Sequence, residues 1–267
     1  MNAESNAASR GHEARVTRLC AGIDTCSDRL ALALVVGDCG DARSGVRLDG
    51  ARIIGEREID ARNAHCEALF PLLVELLEQS GRDVSEISLI GVTAGPGRFT
   101  SLRIGLATAQ GLALGLDARV VPVSVFEAAS VALADEHPNG LVAIVLDAGP
   151  DLHWAVCRAG DAAHALLAGP ALAPPADVAR DLFAFAAAAA APLAIAGSGA
   201  ARVVASWPAG APALSTLVLP NLARAAAFLA LARFEGAIDP AELEPLYLRP
   251  TRAEEIRDNA HARSPQN

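Results

Sequence analysis

Two aspartates stand at the ends of apolar runs, and each opens a turn. Asp24-Thr25 follows Leu19–Ile23, and Asp147-Ala148-Gly149-Pro150 follows Leu141–Leu146. An acid at a strand end, beside exposed backbone amides, can hold a cation against a phosphate. Asp24, Thr25 and Asp147 are therefore candidates for a vestigial nucleotide site, with an ordinary Asp-Thr turn as the alternative at the first. The second turn is a poorer phosphate cradle, because Pro150 lacks an N–H and no lysine follows it. Gly197-Ser198-Gly199 comes after a third apolar run, where a turn could approach a nucleoside ring. Ser198 lacks the flanks of a nucleophile elbow.

A longer string is Gly95-Pro96-Gly97-Arg98-Phe99-Thr100-Ser101-Leu102-Arg103-Ile104-Gly105. Glycine-rich loops that feed a helix can hold anions, but this spacing fits neither common phosphate loop. Gly95, Pro96, Gly97, Thr100 and Arg103 instead suit a structural loop. Arg103 sits in the first turn of the helix, where the dipole disfavours a cation. It needs a compensating partner, and Asp24 is one candidate. No catalytic set emerges. The five cysteines form no Cys-x-x-Cys pair, and no two histidines are four residues apart, so no metal site is expected. The cysteines suit reduced thiols and a cytoplasmic setting.

These residues depend on two helices. Between Thr100 and Leu116 the one charged side chain is Arg103. A helix without a polar face must be covered on more than one side. Ser101, Gly105, Thr108, Ala109 and Leu112 share a face of small and apolar residues that would let another helix approach. Each helical glycine there costs ~1 kcal/mol against alanine, which asks for a packing reason. The other helix covers about 63–80. His65, Leu69, Leu72, Leu73 and Leu76 form its apolar arc, Phe70 and Leu77 widen it, and Pro71 should kink it. The two arcs together read as half of an intersubunit four-helix bundle, with a second copy or a different chain as the other half.

The chain has 267 residues, 52% of them hydrophobic, and a formal net charge of −9. That charge argues against a broad phosphate-gripping surface, so any contact with RNA would be indirect. No apolar run approaches the ~20 residues of a membrane span. Residues 1–18 carry no apolar core of a signal peptide and read as a disordered tail. Strands at 19–23, 30–36 and 52–59 form an antiparallel meander around a hairpin loop at 38–49. A strand–helix–strand–helix order follows. After His137-Pro138-Asn139-Gly140 the pattern restarts, again with an apolar strand ending in aspartate. The expectation is two similar lobes, 19–138 and 139–250, and a flexible tail at 251–267.

The Gly95–Gly105 string resembles the TsaB (YeaZ) family, whose usual form has Ser and Gly where Arg98 and Ser101 stand here. Ile23-Asp24-Thr25, the Asn63–Leu77 helix and Pro245-Leu246-Tyr247-Leu248-Arg249 are similar to further family segments. At the second-lobe turn the family commonly has Asp-Ala-Arg-x-Gly-Glu, and this chain departs from it. The resemblance implies an α/β, actin-like (ASKHA, ribonuclease H-like) duplicated two-lobe fold with mixed sheets. It implies a non-catalytic scaffold subunit in making threonylcarbamoyladenosine beside the tRNA anticodon, paired with a TsaD-like catalytic paralogue and joined by a TsaE-like ATPase. It leaves room for ATP or ADP near the subunit interface. The paralogue's two metal-binding histidines align with Val125 and Ala129, which cannot bind metal. The runner-up is an independent actin-like ATPase or small-metabolite kinase built on Asp24 and Asp147. A glycoprotease-type metallopeptidase stands further off, for want of ligands.

Overall fold

The computed structural model describes residues 17–39, 51–161 and 165–248. The expected tails and most of the 38–49 loop lie outside them. The first sheet is built from β1 (Thr17–Asp24), β2 (Arg29–Asp38), β3 (Arg52–Asp60), β4 (Ile87–Gly95) and β5 (Arg119–Ser124). Its order is β3-β2-β1-β4-β5, with β1, β2 and β3 antiparallel and β4 and β5 parallel to β1. The second sheet comprises β6 (Leu141–Ala148), β7 (Asp151–Arg158), β8 (Leu166–Ala173), β9 (Leu193–Ala196) and β10 (Ser215–Leu217). Its order, β10-β9-β6-β7-β8, is the first sheet's order repeated. Duplication is thus explicit in topology as well as in the paired strand-end acids.

The helices are α1 (His65–Gln79), α2 (Phe99–Leu116), α3 (Val125–Ala132), α4 (Pro175–Ala189), α5 (Ala200–Ala205) and α6 (Leu222–Ala232). The run Leu30-Ala31-Leu32-Ala33-Leu34 shows how β2 sorts its two faces, since successive side chains alternate. Leu30, Leu32 and Leu34 join the main core with α1's leucines, while Ala31 and Ala33 meet Ala223 of α6. The α6 side stays small because that helix lies almost on the strand backbones. A Cβ on Gly22 or Gly91 would overlap the carbonyl of Ala223 or Ala226. This closeness explains why an alanine-rich helix, weak in apolar area per residue, is still held firmly.

α6 corrects the expected lobe boundary. It packs on β1, β4, β2 and β5, not on the second sheet. The chain beyond it stays with the first lobe too: Ile238 bridges Val120, and the Leu246 amide donates to the Ala94 carbonyl at 2.6 Å. The second lobe therefore ends near 221, where the Asn221 side chain caps α6 by accepting from the Ala223 and Arg224 amides. α3 joins the lobes. It touches β6, β7 and α6, Ser130 Oγ donates to the Arg158 carbonyl at 3.0 Å, and Glu127 pairs with Arg233 at 2.9 Å. Strand β8 and helix α5 lie in a stretch with no clear hydrophobic periodicity.

Candidate functional site

The lobes face each other across a cavity of about 1540 Å³, walled by strand ends and by the loop before α2. Asp24 reaches it from β1 but is only 5% exposed. Its Oδ1 accepts from Thr93 Oγ1 at 2.5 Å and from the Cys26 amide at 3.2 Å. Burial pushes its carboxyl above the usual carboxylate range, and drives the neighbouring Cys26 thiol well up. A carboxyl held this way is a structural knot tying β1 to β4. Thr25 is buried at its side, its hydroxyl without a hydrogen-bond partner among the described residues and packed against Gly105. A side chain at Gly105 would overlap that hydroxyl. The expected intersubunit role of Gly105 gives way to contact within the chain.

The Gly95 loop is wedged between this turn and the C-terminal segment. Gly95 has φ +113°, and a Cβ there would meet the Leu246 carbonyl. A Cβ on Gly97 would meet the Cys26 backbone, and the Arg98 amide donates to the Cys26 carbonyl at 2.9 Å. Arg98 also pairs with Asp28. Among the described residues Arg103 has no carboxylate partner, contrary to the expected pairing with Asp24. Its guanidinium lies 3.7 Å from the centre of the Phe99 ring, and Nε donates to Tyr247 Oη at 2.9 Å. Cation–π attraction compensates the unfavourable dipole position instead.

In the second lobe, Arg202 fills the turn that could have cradled a phosphate. Its guanidinium donates to Asp147 Oδ1 at 2.9 Å and to the carbonyls of Gly149, Pro150 and Asp151. Ser198 Oγ accepts from the Asp147 amide at 3.0 Å. Asp147 is thereby committed to an internal ion pair. His153, also on the cavity wall, is 8% exposed, and burial lowers its pKa. Sequence reasoning missed Arg202 and His153. Arg202 lies 55 residues from its partner, and no local signal links them. Val125 and Ala129, at the positions aligned with metal-binding histidines, are buried apolar residues. Among the described residues no three His, Cys, Asp or Glu side chains gather where they could hold a metal.

α1 and α2 lie side by side, and their faces sort differently from the expectation. His65, Leu69, Leu72, Leu73 and Leu76 all point into the lobe's own core, as do Ser101, Gly105 and Ala109. Thr108 and Leu112 are half-buried. The large arc serves the sheet because the leucines of β2 offer the larger apolar surface. What remains outward is a second apolar face: Phe70 at 53% and Val74 at 39% exposure on α1, and Leu114 at 65% on α2. Ala107, Gly111 and Gly115 flatten the α2 side, and a Cβ on either glycine would meet open space. Thr100 and Phe99 extend it toward the cleft.

Two lobes of repeated strand order around a shared cleft define a duplicated actin-like protein. A family model described as TsaD, tRNA N6-adenosine threonylcarbamoyltransferase, matches residues 58–197, more than half of the chain. The chain belongs to that family, on its TsaB (YeaZ) side. YeaZ from Pseudomonas aeruginosa superposes with a TM-score of 0.67 at 25% identity, covering 86% of this chain and all of that one. The tRNA threonylcarbamoyladenosine biosynthesis protein TsaB of Haemophilus influenzae is 34% identical over 88 residues, 33% of this chain and 37% of that protein. The tRNA N6-adenosine threonylcarbamoyltransferase of Desulfovibrio desulfuricans is 36% identical over 123 residues, 45% of this chain and 34% of that protein. The matched stretches thus span about a third of these curated relatives. No helix among the described residues is long and apolar enough to cross a membrane.

Proposed function

We propose that this chain is a non-catalytic subunit in the biosynthesis of tRNA threonylcarbamoyladenosine, and that it docks a TsaD-like catalytic paralogue through the outward faces of α1 and α2. A TsaE-like ATPase and tRNA meet the resulting pair, not this chain by itself. The observation that carries the proposal is the exposed apolar face of Phe70, Val74, Ala107, Gly111 and Leu114, on helices whose inner faces are already filled. Contiguous exposed apolar surface of this kind marks a protein contact. Small residues at helical spacing admit a partner helix at close range.

The cleft chemistry supports the same assignment over an independent ATPase or kinase. The first acid is buried and engaged by Thr93, and the second is tied to Arg202. Neither is presented to a metal–phosphate pair without rearrangement of its turn.

The test is co-purification and calorimetric titration with the paralogue. Leu114→Arg puts a cation at the centre of the proposed contact while touching no core residue. It should weaken binding by ~30-fold or more, in line with the ~2 kcal/mol of an interface hot spot. Its melting temperature should match the unsubstituted chain. Undiminished binding would remove α2 from the contact.

A further inference from the structure

We infer that charge on α1 decides what covers the docking face: an apolar helical surface flanked by lysines or arginines, in preference to a second copy of this chain. The inference rests on the docking face proposed above and names its occupant. The outward stripe of α1 reads Glu67, Phe70, Val74, Glu78, an apolar pair bracketed by acids at i, i+3, i+7 and i+11. Glu75 lies beside it, its Oε1 accepting from Gln79 Nε2 at 2.7 Å. The helix carries no lysine or arginine. Among the described residues neither Glu67 nor Glu78 has an ion-pair partner. Glu78 also stands in the last turn, where the helix dipole disfavours an acid and no basic residue offsets it.

A symmetric pair brings the same patch to both sides of the contact. Each copy would contribute three acids from α1 against the single cation Arg103 of α2, which Phe99 and Tyr247 already hold. Self-pairing thus places uncompensated negative charge around an apolar centre. Juxtaposed like charges are a common way to suppress a wrong partner. The complementary partner carries cations opposite Glu67 and Glu78, about 16 Å apart along the helix at 1.5 Å per residue.

The experiment uses the full chain, Glu67→Lys/Glu78→Lys and Glu67→Gln/Glu78→Gln, each checked by circular dichroism. Self-association is followed by sedimentation in 50 mM NaCl, and paralogue binding by titration. The unsubstituted chain mixed with the lysine variant should form a one-to-one complex at least tenfold tighter than either forms alone. The glutamine variant should self-associate more strongly than the unsubstituted chain. The lysine variant should lose at least tenfold in affinity for the paralogue. A mixture no tighter than its components, with a glutamine variant that associates no better, overturns the inference. If Leu114→Arg abolishes paralogue binding while the lysine variant binds normally, charge selection fails and the docking face stands. If Leu114→Arg has no effect, α2 leaves the contact, and if the lysine variant also binds normally, the docking face itself fails.

Discussion

Asp24 shows how far a residue's type can be read and where burial takes over. Its place at a strand end was plain from the sequence, and so was its adjacency to Thr25. The hydrogen bond from Thr93, sixty-nine residues on, was not, and it turns a candidate cation ligand into a fastener. Burial raises the Asp24 pKa above its ordinary 3.8. Between that value and the raised one, the folded chain keeps a proton that the unfolded chain has lost. Stability therefore declines as pH rises through that window. Asp24→Asn removes the titration and keeps an oxygen for Thr93 and Cys26. Urea unfolding from about pH 4 to pH 7 should show the variant gaining on the unsubstituted chain as pH rises. A constant difference would mean that the carboxyl ionises in the fold as it does in water.

The glycines of α2 make the matching point for elements. Gly105, Gly111 and Gly115 look alike in sequence, yet the first is filled by Thr25 and the others face open space. Periodicity marks an arc but does not say which neighbour covers it, so the α1 leucines that suggest an intersubunit face belong to the core. The second strand is more legible, expected at 30–36 and found at Arg29–Asp38, because a strand's period is fixed by its geometry. β8 carries no readable strand pattern, because Gly169-Pro170 interrupts its apolar residues. The fit between α2 and the β1–β2 turn can be tested directly. Gly105→Ala should cost ~1–3 kcal/mol by overpacking. Thr25→Ala removes the obstructing hydroxyl, which has no hydrogen-bond partner among the described residues, and should restore much of that loss in the double variant. Additive effects in denaturant unfolding would place the strain elsewhere.

Across the whole molecule, the repeated strand order was foreseeable from the restart after Gly140, and the residues of the family resemblance pointed to the same architecture. The allegiance of α6 was not. It depends on Gly22 and Gly91 meeting Ala223 and Ala226, a contact across some two hundred and one hundred and thirty-five positions that no local pattern encodes. A chain ending at Pro220 should fail to form a stable first lobe, leaving one face of β1, β2 and β4 bare. Dye binding to exposed apolar surface and rapid amide exchange in β1 would reveal it. A cooperative unfolding transition with protected β1 amides would refute it. The same contact sets a schedule during synthesis. The opening strands leave the ribosome early, but their cover is translated near the end, so the first half must wait for the last. At bacterial or slower elongation rates that interval lasts many seconds, at ~5–20 residues per second. A product halted in that interval would present sticky, half-roofed strands to the cell's chaperones and proteases.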